Sequence, residues 1–450
     1  MKEIFNIICP IKLQLNILQL EEYKPMRFLN WIIKNFFKRK IQTKKGLVYT
    51  SKIKNIILIY ILLCVVSLFI NIFFFLILAT QPYIGLILAV FILKPYEIWN
   101  RYKTINMTRN KVLSFKNLEV IGITGSFGKT STKEIIYQVL KTKYKTLRTP
   151  ESFNTIFGIS KVVDLELDSS YEIFVCEMAA YKIGEIKTLC NMVPPKYGIL
   201  TGVTTQHFER FGSLINTIKA KFELVDSITN KNNIIFNLED ENIIGEIKKR
   251  KIEIKNQDIS AKNIIFNKKE TLFDLNINKN NYKVKTALFG YANIKNIILA
   301  SSMALKLNFS PNELVAAINN LSPFDNRNVL INNGKATIIN NTYSSNIQSF
   351  KEMIATAKSV KGTKVLVTPG IVELGSLENE VHKNLGSLSQ NIFDKVILVG
   401  ENNRTKSLAK GLEKKYEFIN DNRKEYFNKI EELKKVYDWI FLENDVTENY

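Results

Sequence analysis

The pattern of apolar and polar positions divides the chain of 450 residues into three parts. Residues 55–93 contain no charged side chain, and most of them are Ile, Leu, Phe or Val. From residue 113 to 322, short apolar runs alternate with stretches in which apolar residues recur at helical spacing, and a similar alternation begins near residue 328. This pattern predicts membrane-spanning helices near the N-terminus, followed by two α/β domains with a cleft between them.

The central domain, predicted over 113–322, is expected to contain a parallel sheet. Its strand candidates are 118–123, 172–177, 197–203 and 233–237, and its helix candidates are 129–142, 213–228, 293–307 and 311–320. Residues 250–290 read as short strands with polar turns, which indicates a β insertion or a sheet edge. The final domain, over 328–450, is predicted to be a smaller Rossmann-like α/β domain. Its predicted elements are strand 336–339, helix 346–359, strand 364–368, helix 378–391 and strand 395–399.

The uncharged run is long enough to cross a membrane twice, because one helical span needs about 20 residues. Basic residues flank it on both sides, with Lys52 before it and Lys94 after it, and such flanks favour the cytoplasmic side. A hairpin of two helices with a break near Asn71 or near Pro82 satisfies both flanks. One span and a re-entrant segment is the alternative. We expect residues 55–98 to form a permanent anchor in the cytoplasmic membrane, with the folded domains facing the cytoplasm.

Charge adds one feature to this picture. The net charge is +21, and residues 1–54 concentrate it, with 12 Lys and Arg against 3 Glu. Residues 26–45 interleave aromatic and aliphatic side chains with basic ones, which is typical of a helix on an anionic membrane surface or of an amphipathic helix packed on the protein. Elsewhere the lysines are scattered among Asn and Ile, so we interpret them as solvated surface. Outside this membrane-proximal segment the sequence shows no basic and aromatic stacking platform, so a nucleic-acid partner is not expected.

A glycine-rich turn lies between the predicted strand 118–123 and the predicted helix 129–142. It reads Thr-Gly-Ser-Phe-Gly-Lys-Thr-Ser over residues 124–131. Glycines at 125 and 128 let the backbone N–H groups turn inward, and the helix adds its positive N-terminal end. Lys129 would reach the terminal phosphates of a nucleotide, and Thr130 would offer its hydroxyl to magnesium. The stretch departs from the strict phosphate-loop pattern, because Ile123 stands where the first glycine would fall. It nevertheless predicts nucleotide binding.

Three further residues are candidates for chemistry. Glu177 ends a predicted strand, at the edge where open parallel sheets present functional groups. His207, one of only two histidines, follows a strand-like run, and Lys221 lies in the amphipathic helix after it. Each alone is more typical of a loop, a core or a solvated surface. Beside a phosphate loop they form a candidate catalytic set.

The motifs resemble the Mur ligase family. TGSFGKTSTKE, TPESFNT, CEMAAYKIGEI, PKYGILTGVTTQHFERFGS and KAKFEL follow one another as in the central domain of that family. GYANIKN, the arginine of FDNRN, NNTYSSN and IVELGSLENEVH continue the resemblance into the C-terminal domain, so that it covers residues 115–450. It is strongest to the members that add D-Ala-D-Ala to a muramoyl tripeptide.

The resemblance implies an ATP-dependent amide ligase that uses magnesium. Such enzymes phosphorylate a substrate carboxylate to an acyl phosphate, and an incoming amine then displaces the phosphate. The implied substrates are a UDP-linked or lipid-linked cell-wall precursor and an amino acid or dipeptide such as D-Ala-D-Ala. The alternatives are a ligase that extends a polyglutamate-type or folate chain, and a membrane scaffold that binds nucleotide but catalyses weakly. A motor or transport ATPase is not favoured, because no second strand ends in aliphatic residues followed by Asp-Glu.

The resemblance also implies roles for single residues. Lys129 contacts the phosphates, Thr130 and Glu177 hold one magnesium ion, and His207 contributes to a second metal position. Lys221 matches a carbamylated lysine whose added carboxylate is a metal ligand. Carbamylation requires a neutral amine, so burial that lowers the pKa of this lysine would favour it.

The remaining implied residues contact nucleotide or substrate. Nucleotide binding is implied for Thr124, Gly125, Ser126, Gly128, Lys129, Thr130 and Ser131 of the loop, Asn296 on the adenine side, Arg327 at the phosphates, and Asn341. Substrate binding is implied for Asn154, Thr155 and Asn346.

The chain departs from the family pattern at three places. Asn340 and Asn341 stand where the family has two aspartates, of which the second helps to orient the nucleotide, and Ala292 replaces a histidine. The family's N-terminal UDP-sugar domain is replaced by the basic segment and the predicted spans. The acceptor is therefore held differently, is lipid-linked, or is recognised by the remaining two domains alone.

Overall fold

The computed structural model describes residues 11–35, 46–204, 211–255, 258–324, 329–333, 335–342, 345–372, 374–413 and 416–444. These residues form two compact units. The first contains the described residues up to Lys103, and the second contains those from Thr104 onward.

The first unit is helical. Its helices are α1 (Ile11–Leu20), α2 (Pro25–Asn35), α3 (Ser51–Ile70), α4 (Ile72–Thr80) and α5, which spans Pro82–Ser114 and enters the second unit. The chain breaks at both of the predicted positions, not at one. Asn71 ends α3 and caps α4 by accepting a hydrogen bond from Phe73 N, at 2.8 Å. Pro82 begins α5, where its missing N–H costs nothing.

Two helices of this unit are long and apolar enough to cross a membrane, by length and composition. They are α3 and α5. Only 22% and 33% of their most apolar 18-residue windows are buried, whereas the core helix of a soluble protein is mostly buried. Most of this apolar surface therefore lies open in the unit.

The described part of the predicted amphipathic helix 26–45 packs on the protein. Phe28 and Ile32 of α2 are buried in a cluster with Leu18 of α1 and Ile53 of α3. This contact favours the packed-helix interpretation for residues 25–35. The basic residues 38–40 lie outside the described residues.

The second unit begins with a parallel sheet of five strands. The strands are β1 (Glu119–Thr124), β2 (Thr146–Arg148), β3 (Ile173–Glu177), β4 (Tyr197–Leu200) and β5 (Ile234–Phe236), in the order β2-β3-β1-β4-β5. The accompanying helices are α6 (Lys129–Leu140), α7 (Ile156–Glu166), α8 (Glu185–Met192), α9 (Leu214–Ser227) and α10 (Glu241–Lys249). The four predicted strands and both predicted helices of this region are confirmed. The short β2 and helices α7, α8 and α10 were not predicted.

An antiparallel sheet of three strands follows. It contains β6 (Ile259–Phe266), β7 (Thr271–Ile277) and β8 (Asn280–Thr286), which confirms the β insertion predicted over 250–290. Strand β7 alternates buried and half-buried positions, as expected for a sheet with one face on a core. Helices α11 (Tyr291–Lys306) and α12 (Pro311–Asn319) come next, as predicted.

The last sheet has six strands in the order β13-β12-β11-β14-β10-β9, and all neighbours are parallel except β9 and β10. The strands are β9 (Val329–Asn333), β10 (Ala336–Asn341), β11 (Lys364–Thr368), β12 (Lys395–Val399), β13 (Tyr416–Ile419) and β14 (Trp439–Glu443). The helices are α13 (Ile347–Ser359), α14 (Glu378–Ser389), α15 (Asn403–Leu412) and α16 (Arg423–Val436). The predicted elements of this domain are confirmed.

The two α/β parts share one apolar core. A single buried cluster contains side chains of the central sheet, of β6–β8 and of the six-stranded sheet. Phe289, before α11, stacks on Trp439 of β14 with ring centroids 5.8 Å apart. This shared core fixes the C-terminal domain against the central one, and the cavity described below lies where polar residues of both domains meet.

Candidate functional site

A cavity of about 290 Å³ opens between the central and C-terminal domains. The central domain contributes residues 126–131 of the loop together with Asn154, Glu177, Asn293, Lys295 and Asn296, among others. The C-terminal domain contributes Asn341, Asn346, Ser349 and Glu352. The cavity therefore joins the predicted phosphate loop to Asn341, one of the positions at which the sequence departs from the Mur ligase pattern that it resembles.

The glycine-rich turn has the geometry that its sequence predicts. Gly128 has a φ of +75°, a left-handed conformation that favours glycine, and immediately precedes α6. A Cβ atom at this position would lie 2.9 Å from Asn296 Oδ1. Glycine is thus required both by the backbone and by the close approach of α11. The N-terminus of α6 faces the cavity, where its free N–H groups favour an anion.

The loop lysine lies at the cavity but contacts the loop itself. Lys129 Nζ donates hydrogen bonds to the carbonyl oxygens of Gly125, at 2.8 Å, and Ser126, at 3.2 Å. Ser126, Gly128, Thr130 and Ser131 also line the cavity, as predicted for nucleotide contacts.

Thr124 and Gly125 do not line the cavity. The buried hydroxyl of Thr124 donates to the carbonyl of Met178, at 2.8 Å, and so joins β1 to the segment after β3. Gly125 lies directly behind the loop, where a Cβ atom would collide with Thr201. The structure therefore gives these two residues a role in shaping the loop.

Glu177 ends β3 and is almost fully buried at the cavity. Its Oε1 accepts a hydrogen bond from Asn154 Nδ2, at 3.0 Å. Its Oε2 makes no hydrogen bond to the described residues, although Lys133 Nζ lies 3.5 Å away. Asn154, a predicted substrate contact, thus orients the carboxylate and leaves one oxygen available.

Lys133 is a functional residue that the sequence analysis missed. It is fully buried on α6, and its ammonium group lies 3.4 Å from Glu134 and 3.5 Å from Glu177. It also donates to the carbonyl of Glu151. A signal was available, because Lys133 follows Lys129 by four residues and therefore shares its helix face.

Lys221 is buried on α9, as carbamylation would require. Its Nζ donates to the carbonyl of Ala180, at 3.3 Å, and lies 5.5 Å from the ring centroid of Phe211. Burial, and then the nearby charge of Lys129, lower the pKa of Lys221 to about 7. At a pKa of about 7, a substantial fraction of the amine is neutral at neutral pH, which is the form that carbamylation needs, and the carbamate itself stays a prediction.

Of three other predicted residues, Asn296 and Asn346 line the cavity and Thr155 does not. Asn296 Oδ1 accepts from Thr132 Oγ1, at 3.1 Å, and lines the cavity beside the loop. Asn346 also lines it, and caps α13 through hydrogen bonds from two backbone N–H groups. Thr155 does not reach the cavity, because its exposed side chain caps α7 by accepting from Gly158 N.

A buried carboxylate that the sequence analysis also missed lies behind the C-terminal wall of the cavity. Glu443, the last residue of β14, accepts hydrogen bonds from Asn341 Nδ2, at 2.7 Å, and Ser345 Oγ, at 2.6 Å. Burial raises the pKa of Glu443 to about 7. The available signal was the run WIFLE, which ends an apolar strand in glutamate just as IFVCE does at Glu177.

An ion-pair bridge crosses the cavity rim. Lys295 of α11 lies 2.9 Å from Glu239 and 3.0 Å from Glu352 of α13. Burial opposes the charge of this lysine, but Glu352 and Glu239 outweigh it and raise the pKa of Lys295. The bridge connects the central domain to the C-terminal one.

Two predicted residues, His207 and Arg327, lie outside the described residues, so the second metal position and the arginine contact stay predictions. Within the described ranges, no three His, Cys, Asp or Glu side chains group together as a metal site. A metal ion in this cavity would therefore be coordinated by Glu177, by the Thr130 hydroxyl and by oxygen atoms of a bound nucleotide.

Comparisons with known proteins agree with this geometry. Residues 123–304 match the Mur ligase middle domain. The chain is 28% identical over 308 residues to the UDP-N-acetylmuramoyl-tripeptide–D-alanyl-D-alanine ligase of Buchnera aphidicola, with 65% of each chain covered. The chain spans less than two thirds of the length of the curated ligases that it matches, 65% of the Buchnera protein and 63% of one from Bacillus subtilis.

Solved structures show the same fold. The MurF ligase of Thermotoga maritima, determined in complex with ADP, superimposes with a TM-score of 0.68 at 22% identity, covering 77% of this chain and 81% of that one. A folylpolyglutamate synthase of Mycobacterium tuberculosis gives a TM-score of 0.58 at 11% identity, covering 76% and 92%. The resemblance seen in the motifs is thereby confirmed: the chain contains a Mur ligase middle domain over residues 123–304 and is similar to the D-alanyl-D-alanine ligase type of the Mur ligase family.

Proposed function

We propose that the protein is an ATP-dependent acid–amino-acid ligase that adds D-Ala-D-Ala, or a similar amine, to a cell-wall peptide precursor through an acyl phosphate. The observation that carries this proposal is the cavity in which the loop 126–131, Glu177 and residues of the C-terminal domain face one another. The names of the curated relatives support the choice of amine.

The residues at the cavity fit ATP with magnesium. The N–H groups of the loop and the N-terminus of α6 suit the phosphates. The Thr130 hydroxyl and the Oε2 atom of Glu177, which lacks a hydrogen bond to the described residues, are oxygen ligands of the kind that magnesium takes. When bound, magnesium supplies neutralisation of the charge on the phosphate oxygens.

The chain's own part in the reaction is to bind, orient and stabilise charge. The Lys129 ammonium can exchange its two loop carbonyls for phosphate oxygens, which carry more negative charge. It would then stabilise the γ-phosphoryl group as it moves from ATP to the acceptor carboxylate, while ADP leaves. The amine nitrogen next attacks the acyl carbon, loses a proton and releases inorganic phosphate, so that an amide bond remains.

Carbamylation of Lys221 belongs to this proposal. CO2 adds to the neutral amine and a proton leaves, so that a buried cation becomes a carboxylate. The support is the complete burial of the amine and its pKa of about 7, which removes the main obstacle to the reaction at neutral pH. A carboxylate here would also relieve the repulsion between Lys221 and Lys129.

We further propose that α3 and α5 anchor the protein in the cytoplasmic membrane, with the second unit in the cytoplasm. The support is the exposed apolar surface of both helices and the basic residues on both flanks. Tyr96, Trp99 and Tyr102 of α5 are exposed beside Lys103, as in an aromatic belt at a membrane interface. Retention in the membrane fraction after carbonate washing would support the anchor, and release by carbonate would contradict it.

The alternatives have weaker support. The likeness to folylpolyglutamate synthase concerns the fold, at 11% identity, and does not extend to a substrate. The scaffold alternative rests on Asn340 and Asn341, whereas Lys129, Thr130 and Glu177 are all in place at the cavity. Both alternatives remain distinguishable by experiment.

Phosphate release from ATP by the detergent-solubilised protein tests the proposal. We expect release that requires both UDP-muramoyl tripeptide and D-Ala-D-Ala, with a pentapeptide product seen by mass spectrometry. Glu177→Gln should lose at least about 100-fold in rate, because it removes a charge from the proposed metal site. Release that depends on glutamate and a polyglutamate acceptor would favour the first alternative, and ATP binding without release in any pair would favour the scaffold.

A further inference from the structure

Glu443 is a fully buried carboxylate directly behind Asn341, which lines the cavity. It ends β14, and the parallel register places it directly opposite Asn341, the last residue of β10. The carboxyl ends of both strands thus meet on the C-terminal side of the site. A buried carboxylate is costly unless charges or hydrogen bonds compensate it.

Neutral donors hold this carboxylate. Asn341 Nδ2 and Ser345 Oγ each donate to one of its oxygens, at 2.7 and 2.6 Å. No Lys or Arg among the described residues forms an ion pair with it, and burial, together with the smaller effect of the charge of Glu352, acts against its ionisation. The two hydrogen bonds favour the ionised form, because an ionised carboxylate accepts both of them. Burial outweighs them and raises the pKa of Glu443 to about 7, so the carboxylate is ionised above that pH.

The contact fixes which end of the Asn341 amide is available. An asparagine side chain has a donor end and an acceptor end, and an ionised carboxylate can only accept. The NH2 group of Asn341 therefore turns to Glu443, and its oxygen remains as the acceptor that this cavity-lining residue can offer. Asn341 presents to a ligand what an aspartate would present, although it carries no charge.

We propose that Glu443 is a positioning residue for the bound nucleotide, which acts by holding Asn341 as an acceptor for a ribose hydroxyl or a base amino group. This inference rests on the proposed function, in which the cavity binds ATP. The phosphates of a nucleotide are acceptors only, so an acceptor in the protein selects the nucleoside part. A carboxylate thus stands at the end of the neighbouring strand, directly opposite Asn341.

The test measures binding of ATP and of inorganic tripolyphosphate to the solubilised full chain by calorimetry. Tripolyphosphate has no ribose or base, so it reports on the loop alone. We expect Glu443→Gln to weaken ATP about 10-fold, which corresponds to about 1.4 kcal/mol, and to leave tripolyphosphate unchanged. Glu417→Gln, on β13 of the same sheet, is the matched control and should bind both ligands as the wild type does.

A reciprocal exchange provides the second arm. Asn341→Asp alone places two carboxylates in contact and should weaken ATP at least as much as Glu443→Gln. The double variant N341D/E443Q again has one carboxylate and one amide, in exchanged positions. Because the two changes compensate each other, it should bind ATP within about 3-fold of the wild-type affinity.

Several outcomes would overturn the inference. These are unchanged ATP binding in Glu443→Gln, an equal loss for ATP and tripolyphosphate, or a double variant no better than Asn341→Asp. A melting temperature lowered in Glu443→Gln together with equal losses would show a purely structural role. If the wild type binds neither ligand, the proposed function itself is wrong, and this inference falls with it.

Discussion

The residues that define the cavity act in pairs, and the partner of each predicted residue is what the sequence does not show. Glu177 was predicted from its place at a strand end, but its two polar neighbours, Asn154 and Lys133, were not predicted to contact it. Lys133 shares a helix face with Lys129, yet helical spacing does not reveal which tertiary neighbour a side chain meets. The partner of Asn341 was missed for the same reason, since Glu443 lies 102 residues further along the chain.

At this scale, Lys133→Met should destabilise the fold strongly. It removes the cation that, among the described residues, lies close to both Glu134 and Glu177, whereas Arg148 pairs with Glu134 alone. Truncating one partner of a buried pair costs about 3–5 kcal/mol. Thermal unfolding of the purified chain measures this. Lys143→Met removes a half-exposed pair with Glu313 and should cost at most about 1 kcal/mol. Equal melting temperatures for the two variants would contradict the role given to Lys133.

The lowered pKa of Lys221 predicts how stability and activity depend on pH. Its pKa is lowered to about 7, so the amine is largely neutral at pH 8 and largely protonated at pH 6. Because the folded pKa lies below that of an unfolded lysine, this group destabilises the fold increasingly as the pH falls from about 10 to 7, and the penalty is then constant. The carbamate should likewise be lost below pH 7, and activity with it.

Substitution of Lys221 tests the same point without a pH change. Lys221→Ala should lose at least about 100-fold in rate, and acetate, which supplies a carboxylate, should restore part of it. Lys219→Ala, on the same helix, is the control and should be unaffected. Full activity of Lys221→Ala would show that no carbamate is needed.

Secondary-structure elements were predicted correctly where the apolar residues follow a single clear pattern, either a continuous run or helical spacing. The buried strands β1, β3 and β4 are apolar throughout, and α6, α9 and α13 have clear helical spacing, so their positions were predicted closely. Strand β14 was not singled out, because its place between β10 and β11 depends on pairing across distant parts of the chain. The N-terminal helices show a similar limit: the apolar run predicted one break, and local capping at Asn71 and Pro82 produced two.

The junction between the glycine-rich loop and α6 can be tested by substituting Gly128. Gly128→Ala places a Cβ atom 2.9 Å from Asn296 Oδ1 and forces a left-handed conformation that costs about 1–2 kcal/mol. ATP affinity should fall at least about 10-fold. Gly245→Ala lies inside α10 with no atom near the added methyl group and should be neutral or slightly stabilising. Similar ATP affinities for the two variants would contradict the geometry given for the loop.

The whole molecule combines two units that the sequence suggested for different reasons. The uncharged run indicated the first, and the ordered set of motifs indicated the α/β region and its resemblance to Mur ligases, since these signals extend over many residues. The cavity between the two α/β domains follows from their shared core and from the bridge of Lys295 to Glu239 and Glu352.

The central claim is that the protein joins a carboxylate to an amine through an acyl phosphate, and isotope transfer tests it most directly. The acceptor is prepared with 18O in its reacting carboxylate, and the released phosphate is examined by mass spectrometry. The account predicts that each phosphate carries one 18O atom from the carboxylate and that the amide product retains the other. Phosphate without 18O would show that ATP is hydrolysed by water, and would contradict the proposed ligase reaction.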